Sequence, residues 1–380
     1  MQLSTQRLTV KTSQSIPKIP WMDLSRQTAK LRPQIERAIG ELFERGDFIL
    51  GSESKSFETE FAQYCDAKYC IGVANGTDAL VLGLRALGVG PGDEVITSAL
   101  SFFATAEAIA LVGAKPVFAD VDADTLTLDP EEIREKISER TRAIMPVHLY
   151  GNPCNIQVIE RIAERHNLRI IHDACQAHGA SYRGRRIGSF RDITAFSFYP
   201  SKNLGAFGDA GALVTDDPDI ARRIRLLRDH GQEEKNQHLE IATNSRLDDI
   251  QAAILRIKLP HLDNWNSARI QLAGHYRELL SSADDLRLVT PCPDGIAVYH
   301  LFVVRLKNRD HVRERLAQQG IGTGVHYPTP LHLVPALSPL GHHRGEFPAA
   351  ENAADTVVSL PMFPELTSQE VEYVVQHLTA

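Results

Sequence analysis

From Tyr69 to Thr215 the chain repeats one pattern, a short apolar run followed by a helical stretch. Tyr69–Ala74 is such a run, and Thr77–Leu87 has helical spacing. Glu94–Thr97 follows the turn Pro91-Gly92-Asp93, and Phe103–Leu111 is helical again. Pro116–Phe118, Ala143–Val147 and Arg169–His172 read as further strands, with a helix from Ile156 to His166 between the last two. Ile193–Phe198 and Ala212–Thr215 close the series. Strands that alternate with helices predict βαβ units, so the fold class is α/β, with a mostly parallel sheet covered by helices. Sheets of this kind bind ligands at the carboxyl ends of their strands.

The flanks follow other rules. Residues 1–16 are rich in Ser, Thr, Gln and Lys and read as a loose N-terminal arm. Leu31, Ile35, Ala38, Ile39 and Leu42 recur at helical spacing, and Phe57 and Phe61 belong to a second helix. A long helical pattern runs from Leu247 through Ile250, Ile254, Ile257 and Leu262 towards Tyr276. Beyond it the alternation stops: Val298–Arg305 reads as a strand, His311–Gln319 as a helix and Ser368–Leu378 as a closing helix. The division expected is an arm at 1–16, a large domain at 17–258 and a smaller α+β domain at 259–380.

Basic residues number 41 and acidic ones 48, a net charge of −7. That balance argues against a nucleic-acid partner, though it allows a small basic pocket for an anion. The five cysteines are odd in number and irregularly spaced, with no C-x-x-C pair, so neither a disulfide framework nor a zinc site is expected. No uncharged apolar run approaches the roughly 18 residues of a membrane span, and the N-terminus lacks a signal-peptide core. The expectation is a cytoplasmic protein with no membrane partner and no metal.

Common cofactor motifs are absent. There is no P-loop, and the glycines of Gly88-Val89-Gly90-Pro91-Gly92 precede a strand instead of following one. Asp120, Asp122, Asp124 and Glu131 imitate calcium-loop spacing, but Thr125 stands where the sharp turn needs glycine.

Four features point to chemistry. Lys202 lies in a loop after a strand, among small and apolar residues and near Gly205, Gly208 and Gly211. Apolar surroundings lower an amine's pKa and make it a nucleophile, although a single lysine is most often a surface charge. Asp173 ends the strand Arg169–His172. A carboxylate there could hold the pyridine nitrogen of pyridoxal 5'-phosphate (PLP) protonated, or could equally cap a helix. Gly76 and Thr77 open the first helix of the alternation, where free backbone N–H groups bind phosphate. Phe102 follows the next strand, placed to stack on a flat cofactor or to join the core. Phosphate turn, aromatic ring, strand-end carboxylate and lysine come in the order a PLP site needs.

At this point the chain resembles a known family, the DegT/DnrJ sugar aminotransferases among the fold-type-I PLP enzymes. The resemblance spans about residues 17–378 and rests on six segments in order: NGTDAL (75–80), SFFATAEAI (101–109), HDACQAHGA (172–180), FSFYPSKNLGAFGDAGA (196–212), NSRLDDIQAAIL (244–255) and HYPTPLH (326–332). It implies a mixed, mostly parallel sheet with helices on both faces and a smaller C-terminal α+β domain. It implies that Lys202 joins PLP as a Schiff base and shuttles the proton, and that Asp173 pairs with the pyridinium nitrogen. Gln176 would bond near the ring hydroxyl and Phe102 would stack on the ring. Gly76, Thr77 and Ser197 would bind the phosphate. Asn244 would reach the cofactor of a neighbouring subunit, which implies a homodimer. Arg246, His326 and Tyr327 would face the substrate. Two departures stand beside these positions: His172 where many relatives carry an acidic residue, and Ile241-Ala242-Thr243 where relatives often have Gly-Tyr.

The function the resemblance implies is transfer of an amino group from L-glutamate (or glutamine) to a nucleotide-diphosphate keto-sugar, with pyridoxamine 5'-phosphate formed between the two halves. The QAHGA and KNLGA stretches look most like enzymes acting on a dTDP-3-keto-6-deoxyhexose. A keto-cyclitol aminotransferase is the nearest alternative. A PLP-dependent sugar dehydratase is a further one, though such relatives replace the lysine with histidine. A non-enzymatic regulatory protein on this fold would not need the full set of cofactor residues.

Overall fold

The computed structural model describes residues 18–380, and the arm read at residues 1–16 lies outside them. Seven strands form the central sheet: β1 (Tyr69–Val73), β2 (Glu94–Ser98), β3 (Lys115–Ala119), β4 (Thr141–Met145), β5 (Arg169–Asp173), β6 (Ile193–Ser197) and β7 (Gly211–Thr215). Their spatial order is β1-β7-β6-β5-β4-β2-β3. From β3 to β6 every pairing is parallel. Only β7 is reversed, antiparallel to both β6 and β1. The cause is the link between β6 and β7. A plain loop joins them instead of a helical crossover, so the chain must turn back. That loop carries Lys202.

Helices α1 (Leu24–Arg45), α2 (Ser52–Tyr64), α3 (Gly76–Ala86), α4 (Ala104–Leu111), α5 (Pro130–Lys136), α6 (Ile156–His166) and α7 (Pro218–Arg228) accompany the sheet, followed by α8 (Asp249–Lys258). Side chains along β7 alternate between two cores, as the period of two requires. Leu213 joins Ile71, Leu80, Leu84 and Ile224 on one face. Ala212 and Val214 join Phe57, Phe61, Phe196 and Phe198 on the other. The Phe61 ring meets Phe196 and Phe198 edge-on, each at 5.1 Å between centroids.

The expected helix from Leu247 to Tyr276 is two helices. Pro260 has no N–H to donate and its ring crowds the preceding turn, so α8 ends at Lys258 and a 3₁₀ turn leads into α9 (Leu262–Leu279). The expected strand Val298–Arg305 begins four residues late. Val298 gives its N–H to Gly151 O at 3.0 Å, so its backbone is committed to that turn. The second sheet is β8 (Leu286–Leu288), β9 (Phe302–Leu306) and β10 (Val357–Leu360), antiparallel with β9 central. It is accompanied by α10 (Arg309–Gln318), α11 (Pro348–Thr356) and α12 (Ser368–Leu378). Its core holds Tyr276, Phe302, Phe363 and Val371, together with Ile19, which bridges to Ile321. We propose that the two domains divide between Lys258 and Leu259, with Ile19 lodged in the second.

Candidate active site

The carboxyl ends of β1, β2, β5 and β6 collect at one edge of the sheet, and the loops that follow them hold the candidate residues. Phe198 donates its N–H to Ala210 O at 2.7 Å and accepts from Ala206 N–H at 2.8 Å. These bonds close residues 199–205 into a compact turn, in which Lys202 N–H reaches Tyr199 O at 2.8 Å. Lys202 is half-buried. Burial lowers its amine pKa from the ordinary value, against the opposing pull of Cys175 and Asp173. Helix α8 braces the same turn: Lys258 Nζ donates to Gly205 O at 2.6 Å, and Gln251 Oε1 accepts from Phe207 N–H at 2.9 Å.

Asp173 is buried at the end of β5. Its Oδ2 accepts from Thr105 Oγ1 at 2.8 Å, and its Oδ1 from Cys175 N–H at 3.2 Å. Asp173 is not a helix cap; it faces the first turn of α4. Gln176 Oε1 accepts from Tyr150 N–H at 2.7 Å, which turns its Nε2 to the Tyr327 hydroxyl at 3.1 Å. Phe102 is an exposed ring, 5.7 Å from Tyr327 between centroids, so it is no core phenylalanine.

At the start of α3, Asn75 Oδ1 caps Asp78 N–H at 2.8 Å. The N–H groups of Gly76 and Thr77 have no partner among the described residues. Ser197 closes on this helix end so tightly that a Cβ at Gly76 would lie 2.5 Å from the Ser197 Cβ. A Cβ at Gly211 would strike Asn75 O. Both glycines therefore allow β7, β6 and α3 to meet around a small cradle lined by backbone.

His326 and Tyr327 lie in the segment between α10 and α11. The Tyr150 hydroxyl donates to His326 O, and His326 Nδ1 pairs with Ser359 Oγ at 2.8 Å. Burial, then the nearby Lys202, pushes the His326 imidazole down to about 4. Burial pushes the Tyr327 hydroxyl up.

The loop of Asn244 and Arg246 is not brought to Lys202. Ser245 Oγ accepts from Ala74 N–H at 3.2 Å, which lays that loop beside the β1–α3 turn. Asn244 is exposed and its backbone pairs with Asp229. Arg246 gives Nη1 to Asp229 Oδ1 at 2.7 Å, so within this chain it is an ion-paired side chain and not a free cation.

Sequence reasoning missed Thr105, Tyr150 and His178. Thr105 follows Ser101 by one helical turn, and that spacing was the available signal. Tyr150 has φ +61°, a conformation rare for a bulky residue, and nothing in Leu149-Tyr150-Gly151 announces it. His178 lies between the rings of Phe196 and Phe198, held neutral by burial.

Residues 30–379 match the model of the DegT/DnrJ/EryC1/StrS aminotransferase family. The chain belongs to that family. It is 47% identical over 350 residues to a dTDP-3-amino-3,4,6-trideoxy-alpha-D-glucose transaminase of Streptomyces venezuelae, covering 92% of each protein. It is 44% identical to a UDP-N-acetyl-3-dehydro-alpha-D-glucosamine 3-aminotransferase of Acidithiobacillus ferrooxidans, covering 93% of this chain and 95% of that one. The crystal structure of S. venezuelae DesV, in complex with a ketimine intermediate, superposes with a TM-score of 0.94 at 45% identity, over 96% of this chain and 98% of the other. This family member is thus an aminotransferase of a PLP-dependent family with the α/β fold expected. Among its described residues no helix is long and apolar enough to cross a membrane.

Proposed function

We propose that this aminotransferase moves an amino group from L-glutamate (or glutamine) to a nucleotide-linked keto-sugar, with a dTDP-3-keto-6-deoxyhexose as the acceptor. The observation that carries the reading is the convergence of Lys202, Asp173 and the bare N-terminus of α3 at one sheet edge. The residues fit PLP. The cradle of Gly76, Thr77 and Ser197 suits a phosphate, because N–H groups at a helix start carry partial positive charge. Asp173, held by Thr105 and the Cys175 amide, suits a pyridinium nitrogen. Phe102 offers an exposed ring face. Gln176, with its orientation set by Tyr150, presents an N–H donor for the ring hydroxyl.

When bound, the cofactor supplies an electron sink for the carbon that loses a proton. Lys202 Nζ takes that proton and returns it on the other side of the transfer. Burial lowers its pKa and so favours the neutral amine that accepts a proton. His326 and Tyr327 stand over the site from the second domain and bind the substrate. Arg246 also serves the substrate, once its pairing with Asp229 is exchanged.

We infer that the working unit is a homodimer. Phe43, Phe48, Ile49, Phe207, Leu239 and Ile241 are exposed apolar residues, the last at 93% exposure. Phe43 packs on Phe48, Ile49 bridges to Asp248, and Phe207 is held by Gln251 of the same helix. Isolated apolar residues are ordinary on a surface, but Phe43, Phe48, Ile49 and Phe207, gathered about the start of α8, mark an interface, and Leu239 and Ile241 add exposed apolar surface elsewhere. Asn244 is exposed and, in this reading, serves the partner's cofactor site.

The similarity to the S. venezuelae transaminase supports dTDP, and the similarity to the A. ferrooxidans enzyme favours a UDP-linked acceptor as the second reading. The test is the PLP-loaded protein mixed with L-glutamate, then with dTDP- and UDP-linked 3-keto and 4-keto sugars. A spectral change with glutamate and turnover of the dTDP 3-keto sugar are expected. No spectral change would refute the transaminase reading, and preference for another acceptor would refute the sugar assignment.

A further inference from the structure

Two buried side-chain amides and two backbone carbonyls tie the site loops together. Asn203, next to Lys202, is 2% exposed, and Asn266 on α9 is 4% exposed. Asn203 Nδ2 donates to Asn266 Oδ1 at 2.8 Å and to Val298 O at 3.0 Å. Asn266 Nδ2 donates to His178 O at 2.8 Å. The assignment of amide oxygen and nitrogen is forced, because two of the partners are carbonyls that only accept. Asn266 is therefore read on both ends, as acceptor towards the lysine turn and as donor towards the turn that carries Asp173 and Gln176.

Among the described residues these two turns share no other side-chain hydrogen-bond link. The lysine turn leaves β6, the Asp173 turn leaves β5, and each is closed by its own backbone bonds. Their relative position governs how Lys202 Nζ lies to a ring held at Asp173. A loose register of about 1 Å in such a pair costs on the order of 100-fold in rate. The α9 helix belongs to the second domain, and its Leu272, Ala273 and Tyr276 sit in that domain's core. The anchor is consequently a rigid element and not another loop.

We propose that Asn266 is a positioning residue that sets the lysine turn against the Asp173 turn, and that it does so as one unit with Asn203. This rests on the reading of Lys202 and Asp173 as the PLP site. Both amide nitrogens and the Asn266 oxygen are paired, while the buried Asn203 oxygen has no partner among the described residues. Removing the Asn266 amide leaves the Asn203 nitrogen and His178 O short of a partner in a dry interior, and the two turns lose their common reference.

The experiment compares the full-length PLP-loaded wild type with Asn266→Leu, Asn203→Ala and the double variant. Four quantities are read: kcat and KM for the glutamate half of the reaction, the absorbance maximum of the bound cofactor, its dissociation constant by titration, and the melting temperature. Expected for Asn266→Leu is a kcat lower by about tenfold or more with KM within about threefold, together with a displaced absorbance maximum and weaker PLP binding. The double variant should lose no more than the worse single one, since both act through one unit. An unchanged kcat and absorbance maximum, whatever the melting temperature does, overturns the proposal; so do single losses that multiply in the double variant. Should Asn266→Leu fail to fold, Asn266→Asp has the same shape, lacks the donor to His178 O, and is read by the same four quantities. A wild type that shows no absorbance change on mixing with PLP overturns the cofactor site itself, a result distinct from wild-type behaviour in the variants.

Discussion

Replacing Lys258 by methionine should stabilise the protein below pH 8 and slow it. Lys258 is 2% exposed, and its Nζ has Gly205 O at 2.6 Å and the Phe207 ring at 4.6 Å, with no carboxylate in contact. Burial pushes its amine down to about 8 from 10.5, against a weaker opposing pull from Glu365. The gap between those values, at about 1.4 kcal/mol per unit, comes to about 3 kcal/mol. The sign follows from proton counting. Between pH 8 and 10.5 the unfolded lysine holds a proton that the folded one has released, so stability rises with pH across that window. Below pH 8 both forms are charged and the folded state carries the whole desolvation cost. Methionine has a similar shape and no charge to bury. Melting curves of wild type and Lys258→Met, taken at half-unit steps from pH 7 to 10.5, give the difference. The variant's advantage should be largest and flat near pH 7 and shrink steadily above pH 8, by several degrees in melting temperature. Activity should fall at the same time, because the Gly205 carbonyl loses its donor and the lysine turn its brace. A difference curve flat from pH 7 to 10.5 would show that Lys258 carries no buried charge, and the reasoning would fail.

Other outcomes follow from the same structure. Gly76→Ala puts a methyl 2.5 Å from the Ser197 Cβ, so PLP affinity measured by equilibrium dialysis should drop by about tenfold or more while the fold holds; wild-type affinity would exclude the cradle. Phe61→Ala removes a fully buried ring that touches Phe57, Phe196 and Phe198, and should cost about 3–5 kcal/mol in denaturant unfolding; a loss below about 1 kcal/mol would deny that this cluster supports the sheet. Ile241→Glu places a charge on the most exposed large apolar residue among those described and should shift light-scattering mass from dimer towards monomer. An unchanged mass would remove that residue from the interface.

The seven strands of the central sheet and most of the long helices were legible because their period shows, whereas α5, α7, α11, β8 and β10 were not read. Ile156–His166 was bounded to the residue, since its apolar positions recur at helical spacing and its end is an αL Asn167. The meeting of Lys202 and Asp173 at one sheet edge was legible for a different reason: Asp173 ends a strand and Lys202 lies in the loop after its neighbour, and strand ends converge in a parallel sheet whatever the tertiary detail. The break at Pro260 could have been read from proline chemistry alone. What could not be read is every partner set by packing between distant segments. Arg246 looks free in Asn244-Ser245-Arg246, because Asp229 lies seventeen residues earlier and meets it only when α7 and this loop fold together. The left-handed φ of Tyr150 is equally silent, since the groups that hold the residue, Gln176 Oε1 at its N–H and His326 O at its hydroxyl, lie far off in sequence.

Helix α9 shows why those silent contacts decide the site. Asn266 and Arg269 are three residues apart and share a face of the helix. Asn266 holds the two turns of the large domain, while Arg269 Nη1 donates to the carbonyls of Tyr299, His300 and Met362 in the second. Burial lowers the Arg269 guanidinium to about 10, still well above neutral pH, so it stays charged with only carbonyls in contact. A cation buried in this way is costly unless those carbonyls stay in place, and the same constraint fixes the segment that leads into β9. The two-domain site is thus held on one helix: its amide orders the lysine and aspartate turns, and its guanidinium orders the strand entrance beside them. A substitution at Arg269 should therefore disturb the second domain first and the cofactor absorbance only with it. A substitution at Asn266 should do the reverse, and that opposite order separates a helix that merely packs from one that aligns the site.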